Sequence, residues 1–295
     1  MQKLLRVSSP LAVGVALAVG ALADDAAAQV VSGVTMPIGV GNGGAPANDE
    51  TKKASITDDG RYIAFESLAD NLVENDSNGA KDIFVFDRLQ RTVVRLSTNE
   101  AGEEGSSDSD FPDISPDGRF LAFDSLADNL VPGDTNGQKD VFFLDLETGV
   151  LELVSVNSAG EQGNGESARP EMSADGRFVA FRSAADNLVE NDTNGTFDVF
   201  VHDRATGVTE RVSVRSDGAE ANGPSGYFGN PISRDGRIVA FQSESTNLVD
   251  GDTNGVPDIF VHDRESGETR RISVSADGQQ GNSGSHLPGI SPDAT

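Results

Sequence analysis

From Thr51 onward the apolar residues fall into short runs separated by stretches rich in Gly, Asp, Asn and Ser, and nowhere do they hold a helical spacing. One stretch shows the pattern clearly. Phe178 to Phe181 is continuously apolar, a long loop follows over about Asn187 to Phe197, and then comes Asp198-Val199-Phe200-Val201-His202-Asp203. Val199 and Val201 occupy one face of that second run and Phe200 the other, so it reads as a strand covered on both sides. After a Thr206-Gly207 turn, Thr209 to Val214 is interrupted by Glu210 and Arg211, which suits an exposed edge strand. Ahead of the first run, Arg169 to Ser173 leads into S-x-D-G, a hairpin signal because Gly accepts the positive φ of a tight turn. The pattern predicts four short antiparallel strands and no helix.

That unit recurs. NDTNGTFDVFVHD (Asn191 to Asp203) has close copies at Asn75 to Asp87, Gly133 to Asp145 and Gly251 to Asp263, and their first aspartates, Asp76, Asp134, Asp192 and Asp252, are 58, 58 and 60 residues apart. S-x-D-G-R keeps step with it at Ser115, Ser173 and Ser233, with Thr57 in the first copy. A fixed period of this length marks a repeat architecture, and a four-stranded unit buried on both faces by its neighbours is a propeller blade. The expected fold is all-β, with blades over 51–108, 109–166, 167–226 and 227–284 and the start of a fifth over 285–295. Arg169 to Ser173 would line the channel and Thr209 to Val214 would face solvent. At the end, Ser291-Pro292-Asp293 begins a blade that Ala294-Thr295 does not continue. Either four blades close through unusual pairing, or the chain is a piece of a longer, six-bladed propeller; an unpaired edge would also permit edge-to-edge self-association.

The first residues read differently. Lys3 and Arg6 precede an apolar stretch, Leu11 to Ala23, followed by small residues at Ala21 and Ala23 or at Ala26 and Ala28. This is the form of a signal peptide over 1–23, with cleavage as late as 28, and it predicts a periplasmic or secreted protein with no membrane insertion afterwards. Residues 24–50 read as a linker with one strand at Gly33 to Val40. The chain has no Cys, so no disulfide stabilises it. Its 48 acidic against 22 basic residues give a net charge of −26, which repels phosphate backbones and makes nucleic acid a poor partner while attracting cations.

Candidate chemistry concentrates in D-x-N-G-x-x-D. The residues are Asp76, Asn78 and Asp82; Asp134, Asn136 and Asp140; Asp192, Asn194 and Asp198; Asp252, Asn254 and Asp258. Alternating Asp and Asn around a glycine turn can wrap oxygens about calcium, which wants six to eight of them. The bland reading is that these residues form Asx turns in a loop copied by duplication. No bidentate Glu closes the loop, since that position holds Val85, Phe143, Val201 and Val261. Asn71, Asn129, Asn187 and Asn247 precede the loops and are expected to cap strands through side-chain to backbone hydrogen bonds. Catalytic constellations are scarce. His202 and His262 stand where other copies have Phe86 and Leu144, which indicates packing, and His286 stands alone. There is no G-x-S-x-G and no H-E-x-x-H. Asp87, Asp145, Asp203 and Asp263 sit at strand ends as turn formers and, lying around a ring, cannot converge on one bond.

The run S-P-D-G-R-F-L-A-F (Ser115 to Phe123), followed by D-V-F-F-L-D and a Thr-Gly turn, resembles the WD-like propeller repeat of the TolB type from Thr51 to Asp293. That resemblance implies a periplasmic or secreted six-bladed scaffold. The expected function is therefore a non-enzymatic, calcium-stabilised binding protein for a protein or glycan partner. The alternative is a propeller hydrolase or lyase, or the propeller part of a peptidase; channel-facing carboxylates unique to some blades would favour an enzyme.

Overall fold

A computed structural model describes residues 37–291; the signal peptide and the first half of the expected Gly33 to Val40 strand lie outside them. The fold is an all-β propeller. Its first blade is β1 (Thr51–Ile56), β2 (Tyr62–Ser67), β3 (Asp82–Asp87) and β4 (Thr92–Arg95); the second is β5 (Ser109–Ile114), β6 (Phe120–Ser125), β7 (Asp140–Asp145) and β8 (Val150–Leu153). The third is β9 (Ser167–Met172), β10 (Phe178–Ser183), β11 (Asp198–Asp203) and β12 (Val208–Arg211), and the fourth is β13 (Ile238–Ser243), β14 (Asp258–Asp263) and β15 (Glu268–Arg271). Strands pair antiparallel in chain order, so each blade is a meander running outward from the axis.

The fourth blade has three strands. The segment ahead of β13 makes only the bridges Ser225–Ser243 and Ile232–Val239. Between them the chain carries the two extra residues of its longer repeat, together with Pro231 and with Gly226 and Gly229 at φ of 80° and 122°. The two inserted residues and the two positive-φ glycines separate these bridges, so this segment forms no continuous strand, whereas β1, β5 and β9 pair on both sides of a single bulge.

Within every blade the two central strands face a pair of phenylalanines across the ladder: Phe65 and Phe84, Phe123 and Phe142, Phe181 and Phe200, Phe241 and Phe260. Their rings stack at centroid distances of 5.6, 5.7, 6.0 and 6.0 Å. All eight are fully buried, because each blade lies against the next. Burying one such side chain contributes about 1.5–3 kcal/mol, so contact between blades is the principal source of stability. The glycine of S-x-D-G sets how closely they approach: a Cβ on Gly176 would stand 2.5 Å from the Phe120 ring of the preceding blade, and one on Gly236 would stand 2.0 Å from Phe178.

The outer face of the first blade is covered by Ile38 and Ala47, while Asn42 exchanges two hydrogen bonds with the Val93 backbone (2.8 and 2.9 Å). Residues 37–50, expected as linker, thus include a hairpin bridged at Val40–Pro46 that matches Thr98–Glu104 one repeat later. On the fourth blade Ile272 is half exposed, where its counterpart Val212 is buried.

Asn71, Asn129, Asn187 and Asn247 do use side-chain to backbone bonds, but across blades. Asn187 accepts from Asn164 N–H (2.9 Å) and donates to Gln162 C=O (2.9 Å), clasping the hairpin that leads out of the second blade. The other three make the same pair of bonds. His202 and His262 are buried with Nδ1 on Thr209 and Thr269 Oγ1, in keeping with packing.

Candidate functional site

The four D-x-N-G loops lie at one end of the blades, and each brings its two aspartates together. What stands between them is a donor. In the third blade Arg211 Nη1 lies 3.2 Å from Asp192, 3.5 Å from Asp198 and 2.5 Å from Glu220. Arg95 repeats this with Asp76, Asp82 and Glu104 at 3.3, 3.3 and 3.0 Å. In the fourth blade Arg271 serves Asp252 and Asp258, joined by the Gln280 amide. The second blade has Leu153 in place of the arginine, and the Gln162 amide bridges Asp134 (2.8 Å) and Asp140 (2.9 Å). Burial, reinforced by the neighbouring carboxylate, pushes Asp76 and Asp192 up to about 6, and burial does the same to Asp140.

The asparagines settle how a cation would be received. Asn78, Asn136, Asn194 and Asn254 turn their carbonyl oxygens onto the N–H two residues ahead, at 2.9, 2.7, 3.0 and 3.1 Å. Their amide groups then face the last aspartate of the loop, at 3.2, 2.8, 2.6 and 3.1 Å. Calcium needs six to eight oxygens. These loops present amide N–H groups, and in three blades a guanidinium, to that space, so the residues as arranged do not fit the ion.

A second site lies in the channel, lined by the innermost strands. Residues Lys53, Phe111, Arg169 and Leu287 occupy equivalent positions and all have positive φ, between 45° and 59°. In β1, β5 and β9 alike the pairing register slips across this residue, the inner strand advancing three residues (Lys52 to Ser55, Asp110 to Asp113, Ala168 to Glu171) against two of its partner. A bulge re-aims side chains, here toward the axis. The unusual backbone is held by the preceding blade: Phe111 N–H donates to Glu66 (2.9 Å) and Arg169 N–H to Asp124 (2.8 Å). Asp124 in turn lies 3.1 Å from Lys139, which also bonds Asp110.

The bulges enclose a cavity of about 350 Å³ whose wall includes Lys53, Phe111, Asp113, Arg169, Glu171 and Phe228. Lys53 Nζ sits 4.9 Å and the Arg169 guanidinium 4.4 Å from the centroid of one ring, Phe111. Arg169 also lies 5.8 Å from the ring of Tyr227, which meets Phe228 edge to face. Two residues past each bulge stands a polar side chain that reaches the next strand around the ring. Ser55 accepts from Ile114 N–H and Asp113 from Met172 N–H, both at 2.8 Å. Glu171 comes next in that series, but its neighbour is the looped segment of the fourth blade. Among the described residues it has no hydrogen-bond or ion-pair partner, and Oε1 lies 3.1 Å from where a Cβ on Gly229 would stand. Burial pushes Asp113 up to about 7; burial and then the charge of Asp113 push Glu171 up to about 8.

Asp113 and Glu171 are channel-facing carboxylates present in only two blades, and reading the repeats for their shared residues passes over them. The available signal was their disagreement: TKKASI, SDFPDI and SARPEM keep similar ends and share little between.

No protein-family description matches the chain, and no curated protein matches it. Among solved structures it is similar to TolB from Acinetobacter baumannii at 17% identity and a TM-score of 0.45, over 78% of this chain and 45% of that one. A putative TolB from Agrobacterium tumefaciens follows at 15% and 0.45, over 80% and 85% of the two chains. An oligogalacturonate lyase from Vibrio parahaemolyticus stands at 15% and 0.47, over 79% and 56%. These similarities extend to the β-propeller fold that the sheets already display, and to nothing finer.

Proposed function

We propose that this protein is a binding propeller, exported to the periplasm or the medium, which takes a group of its protein or glycan partner into the central channel. One observation carries the reading. Positions that build the blades recur from copy to copy, whereas the channel wall reads Lys53, Phe111, Arg169 and Leu287 at one level and Ser55, Asp113 and Glu171 at the next. A wall with no partner would have no reason to hold four different side chains at a costly positive φ, about 1–3 kcal/mol each. The D-x-N-G loops become, on this reading, braces closed by their own arginine and amide donors, with calcium unnecessary to them.

The test is to soak crystals of the mature chain with a mixed set of small acids, amines and neutral sugars. Density confined to the channel is the expected result; occupancy only on outer surfaces would overturn the reading. Asp113 and Glu171 favour one alternative, a hydrolase or lyase that uses the pair for proton transfer, because raised carboxylates in a cleft suit general acid and base work. Turnover abolished by Glu171→Gln while binding persists would select it.

A further inference from the structure

We propose that the channel cavity is a carboxylate-binding site, in which Lys53 and Arg169 supply the positive charge that holds the anionic group. The proposal rests on the channel reading above and names the chemistry of what enters.

Lys53 and Arg169 make no ion pair among the described residues, in a chain where most arginines and lysines are paired. Arg169 further has its Nε buried with no hydrogen-bond partner. Two cations without an ion-pair partner, in one cavity wall and 4.9 and 4.4 Å from the same aromatic ring, form a local positive patch within a protein of net charge −26. Desolvated cations are costly without a counter-charge, and a planar guanidinium beside an ammonium suits the two oxygens of a carboxylate. The nearby acids are engaged elsewhere: Asp113 accepts from Met172 N–H, Glu66 from Phe111 N–H, and Asp124 accepts from Arg169 N–H and lies beside Lys139, while burial raises the Glu171 carboxyl to about 8. Phe111, Phe228, Pro170 and Leu287 supply an apolar surround, so the ligand carries its carboxylate on a ring or short apolar chain.

The charged and titratable groups around the site are Lys53 from β1, Glu66 from β2, Asp113 from β5, Asp124 from β6, Arg169 and Glu171 from β9, Arg182 from β10, Tyr227 beside Arg169 and His286 against Phe228.

Calorimetric titration of the mature chain with benzoate, benzamide and benzylamine tests the assignment. Benzoate is expected to bind, benzamide not, and Lys53→Met and Arg169→Gln are each expected to weaken benzoate about tenfold or more, as loss of a charged hydrogen-bond partner does. Arg169→Lys, which keeps the charge but not the planar fork, should lose less affinity than Arg169→Gln and controls for folding. A short peptide with a free C-terminal carboxylate, compared with its amide, separates a polypeptide end from a free organic acid; discrimination by the carboxylate supports the site for either source. Benzamide binding as well as benzoate, or benzoate binding unchanged in both variants, overturns the proposal. Benzylamine binding that Glu171→Gln abolishes would overturn the carboxylate assignment and leave channel binding standing, whereas no channel-dependent binding of any probe would remove both.

Discussion

Arg211→Leu gives the third blade the residue its neighbour has at Leu153, and it tests whether the loops are braced by arginine or by metal. Arg211 is 8% exposed, Asp198 is fully buried, and Asp192 and Glu220 are 4% and 20% exposed, so the guanidinium balances three largely desolvated carboxylates. Removing one partner of a buried ion pair costs about 3–5 kcal/mol. For a domain of this size about 1 kcal/mol moves the melting temperature by roughly 2–4 °C, so the variant should melt about 10 °C below the parent in chelator. Calcium then discriminates. The parent should melt at the same temperature in millimolar calcium, magnesium or chelator. Asp192, Asp198 and Glu220 already bring three carboxylate oxygens within 4.8 Å of one another around Arg211, so with the guanidinium removed calcium should restore part of the loss, about 2.7 kcal/mol at a hundredfold excess over the dissociation constant. Differential scanning calorimetry reads both. A calcium-selective rise in the parent would refute the reasoning and return the four loops to metal sites, and so would a variant that loses less than about 1 kcal/mol.

Other consequences follow from the same packing. The raised carboxylates bind more protons folded than unfolded, so their stabilisation is complete below the unfolded value near 4 and is lost as pH rises through about 6 for Asp76, Asp140 and Asp192, about 7 for Asp113 and about 8 for Glu171. Melting temperature should therefore fall as the pH rises from 6 to 8.5, and Asp113→Asn with Glu171→Gln should flatten the upper part of that slope. The buried His202 and His262, whose values burial lowers, act the other way and cost stability as the pH falls below about 6.5. Gly236→Ala puts a methyl 2.0 Å from the Phe178 ring in addition to its φ of 75°, whereas Gly60→Ala meets nothing closer than 3.4 Å. The first should cost about 3 kcal/mol and the second about 1, measured by urea denaturation. Asn187→Ala removes both bonds of one clasp and should lower stability by about 1–3 kcal/mol, with amide exchange accelerating at Asn164.

The blades were legible because their chemistry repeats. Phe181 and Phe200 occur in every copy, and S-x-D-G-R announces its hairpin by residue type alone. Two features were not legible, for different reasons. The braces escaped because the arginine sits 19 residues beyond the first aspartate of its loop, in an edge strand where Arg95, Arg211 and Arg271 read as exposed charge and Leu153 breaks the series. A loop motif scored on its own residues cannot reveal that another strand fills its centre. The channel bulge escaped because Lys, Phe and Arg do not signal positive φ; their conformation is imposed by Glu66 and Asp124 accepting the bulge N–H from the blade before.

The same contrast explains why the channel can carry function without weakening the fold. A residue on β2, β3 or their counterparts touches a blade on each side, so changing it disturbs two interfaces and the copies stay alike. A bulge residue projects into the axis, and its backbone is fixed by a carboxylate one blade away, so its side chain can change without altering the ladder. Lys53, Phe111, Arg169 and Leu287 are four different answers at one such position, and Ser55, Asp113 and Glu171 are three at the next. Where the inner strand of the fourth blade gives way to the Gly226–Pro231 loop, the equivalent N–H, that of Ile232, makes no bond to Glu171. That local failure of the repeat leaves the Glu171 carboxyl without a hydrogen-bond partner in the same cavity wall as Lys53 and Arg169, which make no ion pair among the described residues, so the place where the blades depart from one another is also where a ligand has most to satisfy.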